Sequence, residues 1–173
     1  YIIPNKCKNT YNLAVCSIRL FYLVCFDISL NRILLPTSKL TKKLPTIIDK
    51  DLFIKIVNEE KYLKHKCWLL LGYCSGLRVS EVARIKVEDI SIQNRNLKVL
   101  GKGNKERLTL LPNIVIKVLR TYCIKNNIRN GYIFKGSNNK PFMNEKTIIN
   151  YFSVIKDLYN LNDNISFHSL RHS

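Results

Sequence analysis

The sequence predicts a mainly helical fold that contains one small three-stranded antiparallel β-sheet. Most of the chain carries apolar residues at helical spacing, whereas residues 90–111 alternate apolar and polar side chains, with turn residues between the runs. A hydrophobic content of 46% in 173 residues is enough for a packed core. The length indicates one domain, or one domain with a fragment of another.

The first helix is expected to start at Asn9 or Thr10, either of which could cap it, and to end near Phe26. Its broad apolar face consists of Leu13, Ile18, Leu20, Phe21, Val24 and Cys25. Residues 34–45 then contain two prolines and three lysines without clear periodicity, which is typical of a linker. The piece before the linker is too small to hold a full core alone.

Further helices are expected after the linker. They span about residues 49–58, 66–74, 80–85, 113–126 and 145–159, and a last one begins near residue 168. Asp49 is a suitable N-cap for the first of these, and Ser166 could cap the last. Gly76 is expected to stop the strongly apolar second helix, because glycine readily adopts the left-handed conformation found at helix ends.

The predicted sheet lies between Ile90 and Leu111. Its three strands are indicated by alternating apolar residues, namely Ile90 and Ile92, then Leu97 and Val99, then Leu108 and Leu110. Polar and glycine-rich turns at residues 93–96 and 101–104 separate the strands. This spacing predicts that Lys102 lies at a turn of the sheet.

The charge indicates a polyanionic partner. Lysine and arginine total 29 against 12 acidic residues, so the formal net charge is +17. Nucleic acid is the first candidate and an anionic membrane the second, while an AT-rich genome accounts for part of the excess. No apolar run is long enough to span a bilayer, and six cysteines without a C-x-x-C pair argue against zinc and for a reducing cytoplasm.

Three short islands carry side chains that can hold and break a phosphodiester. They are Ser75–Glu81 (SGLRVSE), Gly101–Arg107 (GKGNKER) and His168–His172 (HSLRH). Arg78, at a break between helices, can present its planar fork to a phosphate, and Glu81, one turn later, could orient it. Taken alone, an arginine in such a turn is usually a surface residue.

The second and third islands offer proton donors and further positive charge. Lys102 lies between two glycines and could donate a proton to a leaving oxygen, although a solvated turn lysine is the simpler interpretation. Lys105 and Arg107 beside it are expected to contact backbone phosphates. His168 and Arg171 are three residues apart and would share one helix face.

In combination, the islands resemble the motifs of the tyrosine recombinase family, in its phage-integrase and Xer-like branch. G-L-R-V-S-E is similar to that family's first-arginine motif, V-L-G-K-G-N-K-E-R-L to its lysine hairpin, and H-S-L-R-H to its second-arginine motif. The resemblance covers roughly residue 45 to the end. It implies a remnant of a helical core-binding domain at 1–36, a linker at 37–46 and a catalytic domain at 47–173.

The resemblance also implies roles for the island residues. Arg78 and Arg171 would hold the non-bridging oxygens of a scissile phosphate, Lys102 would be the general acid, and His168 would assist protonation and phosphate binding. In the family a tyrosine attacks the phosphate and forms a 3′-phosphotyrosine link, so neither ATP nor a metal cofactor is expected. The implied partners are double-stranded DNA and other recombinase protomers, with no membrane.

One part of the family pattern has no counterpart here. The family carries a His or Trp motif and then the nucleophilic tyrosine after the second arginine, whereas none of the nine tyrosines follows Arg171. We therefore expect a truncated recombinase that retains DNA binding without its nucleophile. The alternatives are a non-catalytic DNA-binding module and a basic RNA-associated protein, of which the second predicts surface aromatics and no ordered arginine–lysine–histidine set.

Overall fold

The computed structural model describes residues 8–38, 46–101, 105–137 and 140–173. The chain forms two compact units, residues 1–44 and residues 45–173. The described residues are mostly helical and contain a three-stranded antiparallel sheet, so the predicted fold class is confirmed. None of the helices within these ranges has both the length and the apolar character needed to cross a membrane.

The first unit contains helix α1 (Lys8–Phe26) and a segment that returns along it. The Tyr11 hydroxyl donates to the Pro36 carbonyl at 2.8 Å, and the side chain of Asn12 exchanges two hydrogen bonds with the backbone of Ser38. All six residues of the expected apolar face are exposed, since one helix and a short return segment cannot cover it. Much of the predicted linker, residues 39–45, lies outside the described ranges.

The second unit contains five α-helices at the predicted places. They are α2 (Lys50–Glu59), α3 (Leu63–Cys74), α4 (Val79–Ala83), α5 (Asn113–Lys125) and α6 (Glu145–Leu158). Asp49 caps α2 as expected, because its carboxylate accepts from the backbone N–H groups of Asp51 and Leu52 at 3.0 and 3.2 Å. Helix α3 starts three residues earlier than predicted, and its first turn is supported by Lys64 stacked over the Trp68 ring.

The predicted last helix is a short 3₁₀-helix, Phe167–Arg171. Phe167 and Leu170 are both buried and three residues apart, which puts them on one side of a 3₁₀ turn. They pack on α3 at Gly72, where an added Cβ would lie 2.9 Å from the Phe167 ring and 3.1 Å from Leu170. Only glycine permits this close approach without displacing the neighbouring side chains.

Helix α3 lies at the centre of the core. Six consecutive residues, Cys67–Gly72, are buried, so this helix is covered on every side rather than along one stripe. Helix α5, helix α4 and the 3₁₀ segment all pack against it. The central position of α3 matters because the residues that follow it belong to the first island.

The sheet consists of β1 (Ile90–Ser91), β2 (Asn96–Leu100) and β3 (Glu106–Leu110), in the order β1-β2-β3 with antiparallel pairing throughout. Leu97 and Val99 of β2 face the core and are buried. The apolar residues of β3, Leu108 and Leu110, face solvent instead, with exposed fractions of 66% and 75%. The opposite face of β3 therefore turns polar side chains towards the protein interior.

Candidate phosphate-binding site

The site begins where α3 ends. Gly76 has φ of +62°, a left-handed conformation that suits glycine, and the Leu77 N–H donates across the helix end to the Leu71 carbonyl at 3.2 Å. Leu77 is completely buried. This anchored turn redirects the chain and places Arg78 at the N-cap of α4.

A buried carboxylate organises the turn. Glu81 on α4 accepts from the Arg78 backbone N–H at 2.8 Å through Oε2, and from Arg78 Nη1 at 2.9 Å through Oε1. The Glu81 side chain is only 2% exposed, whereas that of Arg78 is 42% exposed. Burial of a carboxylate is costly unless cations and hydrogen bonds compensate it, so Glu81 holds Arg78 in one orientation with its outer edge open to solvent.

Two more arginines from distant parts of the chain reach the same carboxylate. Arg107 Nη2 on β3 donates to Glu81 Oε2 at 2.7 Å. Arg171 Nη1 lies 4.0 Å from that oxygen and donates to the Gly76 carbonyl at 2.9 Å, across 95 residues of sequence. Three guanidinium groups thus surround one carboxylate, and the cluster keeps an excess of positive charge at its surface.

The 3₁₀ segment places Arg171 and His168 on the rim of this cluster. Arg171 has a 28% exposed side chain, and His168 is exposed. Partial burial, followed by the nearby charges of His172, Arg171 and Arg78, lowers the pKa of His168. Burial, together with the positive charges of Arg78 and Arg107, also lowers the pKa of Arg171. These shifts indicate a locally positive field that an anion would relieve.

Most of the residues expected from the sequence come together here, namely Arg78, Glu81, His168 and Arg171. Lys102 lies outside the described residues. Lys105, expected to contact phosphate, is exposed, and its carbonyl accepts from the Gly101 N–H at 2.8 Å to close the base of the hairpin.

Two contacts of β3 differ from, or add to, the sequence expectations. Arg107, expected to contact phosphate, donates to Glu81. Thr109 was not singled out, yet its hydroxyl donates to the Ser75 carbonyl at 2.7 Å. The pairing of Val99 with Arg107 and of Leu97 with Thr109 puts both polar side chains on the inner face. The alternation of Arg107 and Thr109 with Leu108 and Leu110 is visible in the sequence, but the register that turns these two side chains inward is not.

A second carboxylate, that of Glu60, lies near the other end of α3 with a side chain that is 9% exposed. Glu60 accepts a short hydrogen bond from the Tyr151 hydroxyl, and His65 Nδ1 lies 3.5 Å from the same oxygen. The His65 and Tyr151 rings pack against each other at an interplanar angle of 32°, with centroids 4.0 Å apart. Burial and the hydrogen bond to Glu60 raise the pKa of Tyr151, and the hydrogen bond to Glu59 raises the pKa of Tyr159 to about 12.

The second unit is a mainly helical domain in which an arginine cluster lies beside a small sheet, and comparison with known proteins identifies its family. The model of the phage integrase family matches residues 47–173, and the chain belongs to that family. The tyrosine recombinase XerD of Staphylococcus haemolyticus is 33% identical over 153 residues, which cover 82% of this chain and 51% of the relative. The chain spans about half the length of the curated relatives it matches.

Solved structures show the same fold. The Tn1549 transposon integrase in complex with circular intermediate DNA matches 97% of this chain and 65% of its own, with a TM-score of 0.70 and 19% identity. A lambda integrase tetramer bound to a Holliday junction matches 95% of this chain and 55% of its own, with a TM-score of 0.67 and 17% identity. The expected resemblance to tyrosine recombinases is confirmed.

Proposed function

We propose that residues 47–173 form the phosphate-holding part of a recombinase catalytic domain that binds duplex DNA. Arg78 and Arg171 would contact the non-bridging oxygens of the scissile phosphate, and His168 would donate a further hydrogen bond. The observation that carries this proposal is that these two arginines, from opposite ends of the domain sequence, meet beside Glu81 with their outer edges exposed. Arginine suits this role because its fork matches two phosphate oxygens.

Lys102 and Lys105 complete the proposed site. Lys102 would protonate the 5′ oxygen as it leaves, and Lys105 would contact the DNA backbone. Residues 1–36 would belong to a core-binding domain joined through a linker at 37–46. Other recombinase protomers are the proposed protein partners, in keeping with the tetrameric lambda integrase complex on a Holliday junction.

Neither of the two tyrosines near the second carboxylate is proposed as the nucleophile. Tyr151 and Tyr159 donate to Glu60 and Glu59, and their raised pKa values oppose formation of the phenolate. Tyr151 packs against His65 near the start of α3. The ten steps from His65 to Ser75 correspond to about 15 Å of helix rise, which separates Tyr151 from the turn that carries Arg78. We therefore propose that the 173-residue polypeptide holds a phosphate and binds DNA without forming a covalent link through either tyrosine.

Titration of labelled duplex DNA at several salt concentrations tests the binding proposal. The logarithm of the association constant should fall linearly with the logarithm of salt concentration, with a slope of about −0.9 for each phosphate contact. Arg78→Met and Arg171→Met should each make the slope shallower by about one contact. Lys156→Met is the matched control, because Lys156 pairs with Asp163 and lies one turn before Tyr159, so its slope should match the wild type. A slope near zero for the wild-type chain contradicts a phosphate-dominated interface.

A nicked suicide substrate tests the chemistry. The wild-type chain is expected to give no DNA-linked species on a denaturing gel. A trapped species that disappears in Tyr151→Phe or Tyr159→Phe would show that one of these tyrosines is the nucleophile. The Glu60 and Glu59 contacts would then have to open for reaction, and the assignment above would be wrong.

A further inference from the structure

Strand β3 turns Arg107 towards the α3–α4 junction and away from any DNA lying over the outer face of the hairpin. Arg107 pairs with Val99, which is buried, so both side chains lie on the inner face of the sheet. Two residues further along this face, Thr109 donates to the Ser75 carbonyl. Strand β3 is thus fastened at two points to the segment that carries Arg78.

Glu81 Oε2 is shared between competing donors. It accepts from the Arg78 backbone N–H at 2.8 Å and from Arg107 Nη2 at 2.7 Å. A carboxylate oxygen has about two acceptor positions, so these two donors fill it. Arg171 stands outside hydrogen-bonding distance at 4.0 Å and donates to the Gly76 carbonyl instead.

We propose that Arg107 is a positioning residue that keeps Arg171 available for phosphate. By occupying Glu81 Oε2, Arg107 prevents the buried carboxylate from drawing Arg171 inward. Without Arg107, the Glu81 carboxylate would lose one of its donors and would attract the Arg171 guanidinium, which lies 4.0 Å away. This inference rests on the proposed function of the site and replaces a direct phosphate contact by Arg107.

The same contact steadies the base of the lysine hairpin. Arg107 directly follows Glu106, which pairs with Leu100 in the last rung of the ladder before the hairpin. Gly101 and Lys105 then close the hairpin base through one backbone hydrogen bond. A bond from Arg107 to α4 therefore fixes the strand that follows the hairpin.

A double-mutant cycle with Arg107→Met and Arg171→Met distinguishes positioning from phosphate contact. If Arg107 positions Arg171, each single variant should bind duplex DNA about three- to tenfold more weakly, and its salt slope should be shallower by about 0.9. The double variant should then bind little more weakly than either single variant. If Arg107 contacts a phosphate itself, the affinity losses should multiply and the double variant should lose about 1.8 of slope. The second result would overturn the proposal.

A rescue experiment adds an independent readout. Glu81→Gln in the Arg107→Met background removes the charge that attracts Arg171, so affinity and salt slope should return to near those of Glu81→Gln alone. A direct phosphate contact would not be restored in this way, and absence of rescue would contradict the positioning role. Lys98→Met is the matched control, because it breaks the exposed Lys98–Glu106 pair on the same hairpin and should show no coupling to Arg171→Met.

A conservative replacement keeps the proposal testable even if the Arg107→Met variant fails to fold. Arg107→Lys keeps a cation and a donor near Glu81, so it should retain more affinity than Arg107→Met at equal helicity by circular dichroism. The same cycle run with Arg107→Lys should show weaker coupling to Arg171→Met, and losses closer to additive, than the cycle with Arg107→Met. Coupling as strong as that of Arg107→Met, together with retained affinity, would count against the proposal. If wild-type binding shows no salt dependence, the proposed function fails. If it is salt-dependent but the cycle is additive, only the role of Arg107 fails.

Discussion

Glu81 and Glu60 are two largely buried carboxylates near opposite ends of α3 that have different kinds of partners. Glu81 is surrounded by three arginines, which remain charged and whose outer edges reach solvent. Glu60 is bound by a tyrosine hydroxyl and lies beside a histidine whose pKa is lowered, chiefly by burial. The first arrangement concentrates positive charge where an anion can reach it. The second satisfies the carboxylate with a neutral hydroxyl donor.

In both clusters the carboxylate is largely buried, so burial alone does not distinguish the proposed phosphate site from the second cluster. What differs is the charge left over after the carboxylate has been satisfied. Arginines hold more donors than one carboxylate can accept, so unused N–H groups remain for a ligand. A tyrosine has a single hydroxyl proton, and Tyr151 uses it in the hydrogen bond that it donates to Glu60. We therefore expect the charged cluster to serve binding and the neutral cluster to serve packing, and substitutions in the two clusters test this difference.

The largest expected effect follows from removal of Glu81. Glu81→Ala should lower the free energy of unfolding by about 2–4 kcal/mol, because three adjacent arginines lose their common partner. Urea denaturation measures the change. Glu81→Gln retains an acceptor for Arg78 and should lose about half as much. A loss below about 0.5 kcal/mol for Glu81→Ala would show that the arginines do not depend on this carboxylate.

The second cluster should yield a smaller effect on stability and none on binding. Tyr151→Phe leaves Glu60 without its hydroxyl donor and should cost about 1–2 kcal/mol. Tyr159→Phe removes a similar bond to Glu59 at an exposed position and should cost less than about 0.5 kcal/mol. Duplex DNA affinity should be unchanged in both variants. A Tyr151→Phe chain with weakened DNA binding would contradict the separation of the two clusters.

The sequence was sufficient to locate nearly every element and most of the arginine cluster. Helix periodicity, the Gly76 stop and the alternation between residues 90 and 111 each depend on local chemistry, and the structure has the corresponding helices, turn and strands. Arg78 and Arg171 could be selected because their motifs are specific in combination. The proposed catalytic roles remain predictions.

The sequence did not reveal which residues from distant parts of the chain contact one another in the fold. The sequence showed that Leu108 and Leu110 of β3 alternate with polar residues. It did not show that the polar face turns inward. Strand register decides this, and a shift by one residue reverses every side chain. The Glu60–Tyr151 contact joins residues 91 positions apart and has no local signal. In both cases the partner is chosen by packing around α3.

The dependence of stability on pH provides a smaller test of the second cluster. The pKa of His65 is lowered by burial, although the negative charge of Glu60 opposes the shift. A histidine with a depressed pKa binds fewer protons in the folded state, so its contribution to stability is present above pH 6.5 and is lost as the pH falls through the folded pKa. Stability should therefore decrease from pH 7 towards pH 5. His65→Gln should make that decrease shallower, and an unchanged profile would exclude His65 as its source.

The smallest expected effect concerns His168, whose exposed ring is partly screened by solvent. Its pKa is lowered by partial burial and by the positive charges of its neighbours, including Arg171 and Arg78. A phosphate held between those arginines would offset their charge and favour the protonated imidazole, so duplex DNA should raise the pKa of His168. Histidine NMR titration with and without DNA measures this change at low salt, where screening is weakest. His65 is the internal control, because it packs against Tyr151 near the other end of α3, and its pKa should not move. If DNA raises the pKa of both histidines equally, the phosphate charge acts over the whole basic surface and no phosphate is held at the arginine cluster.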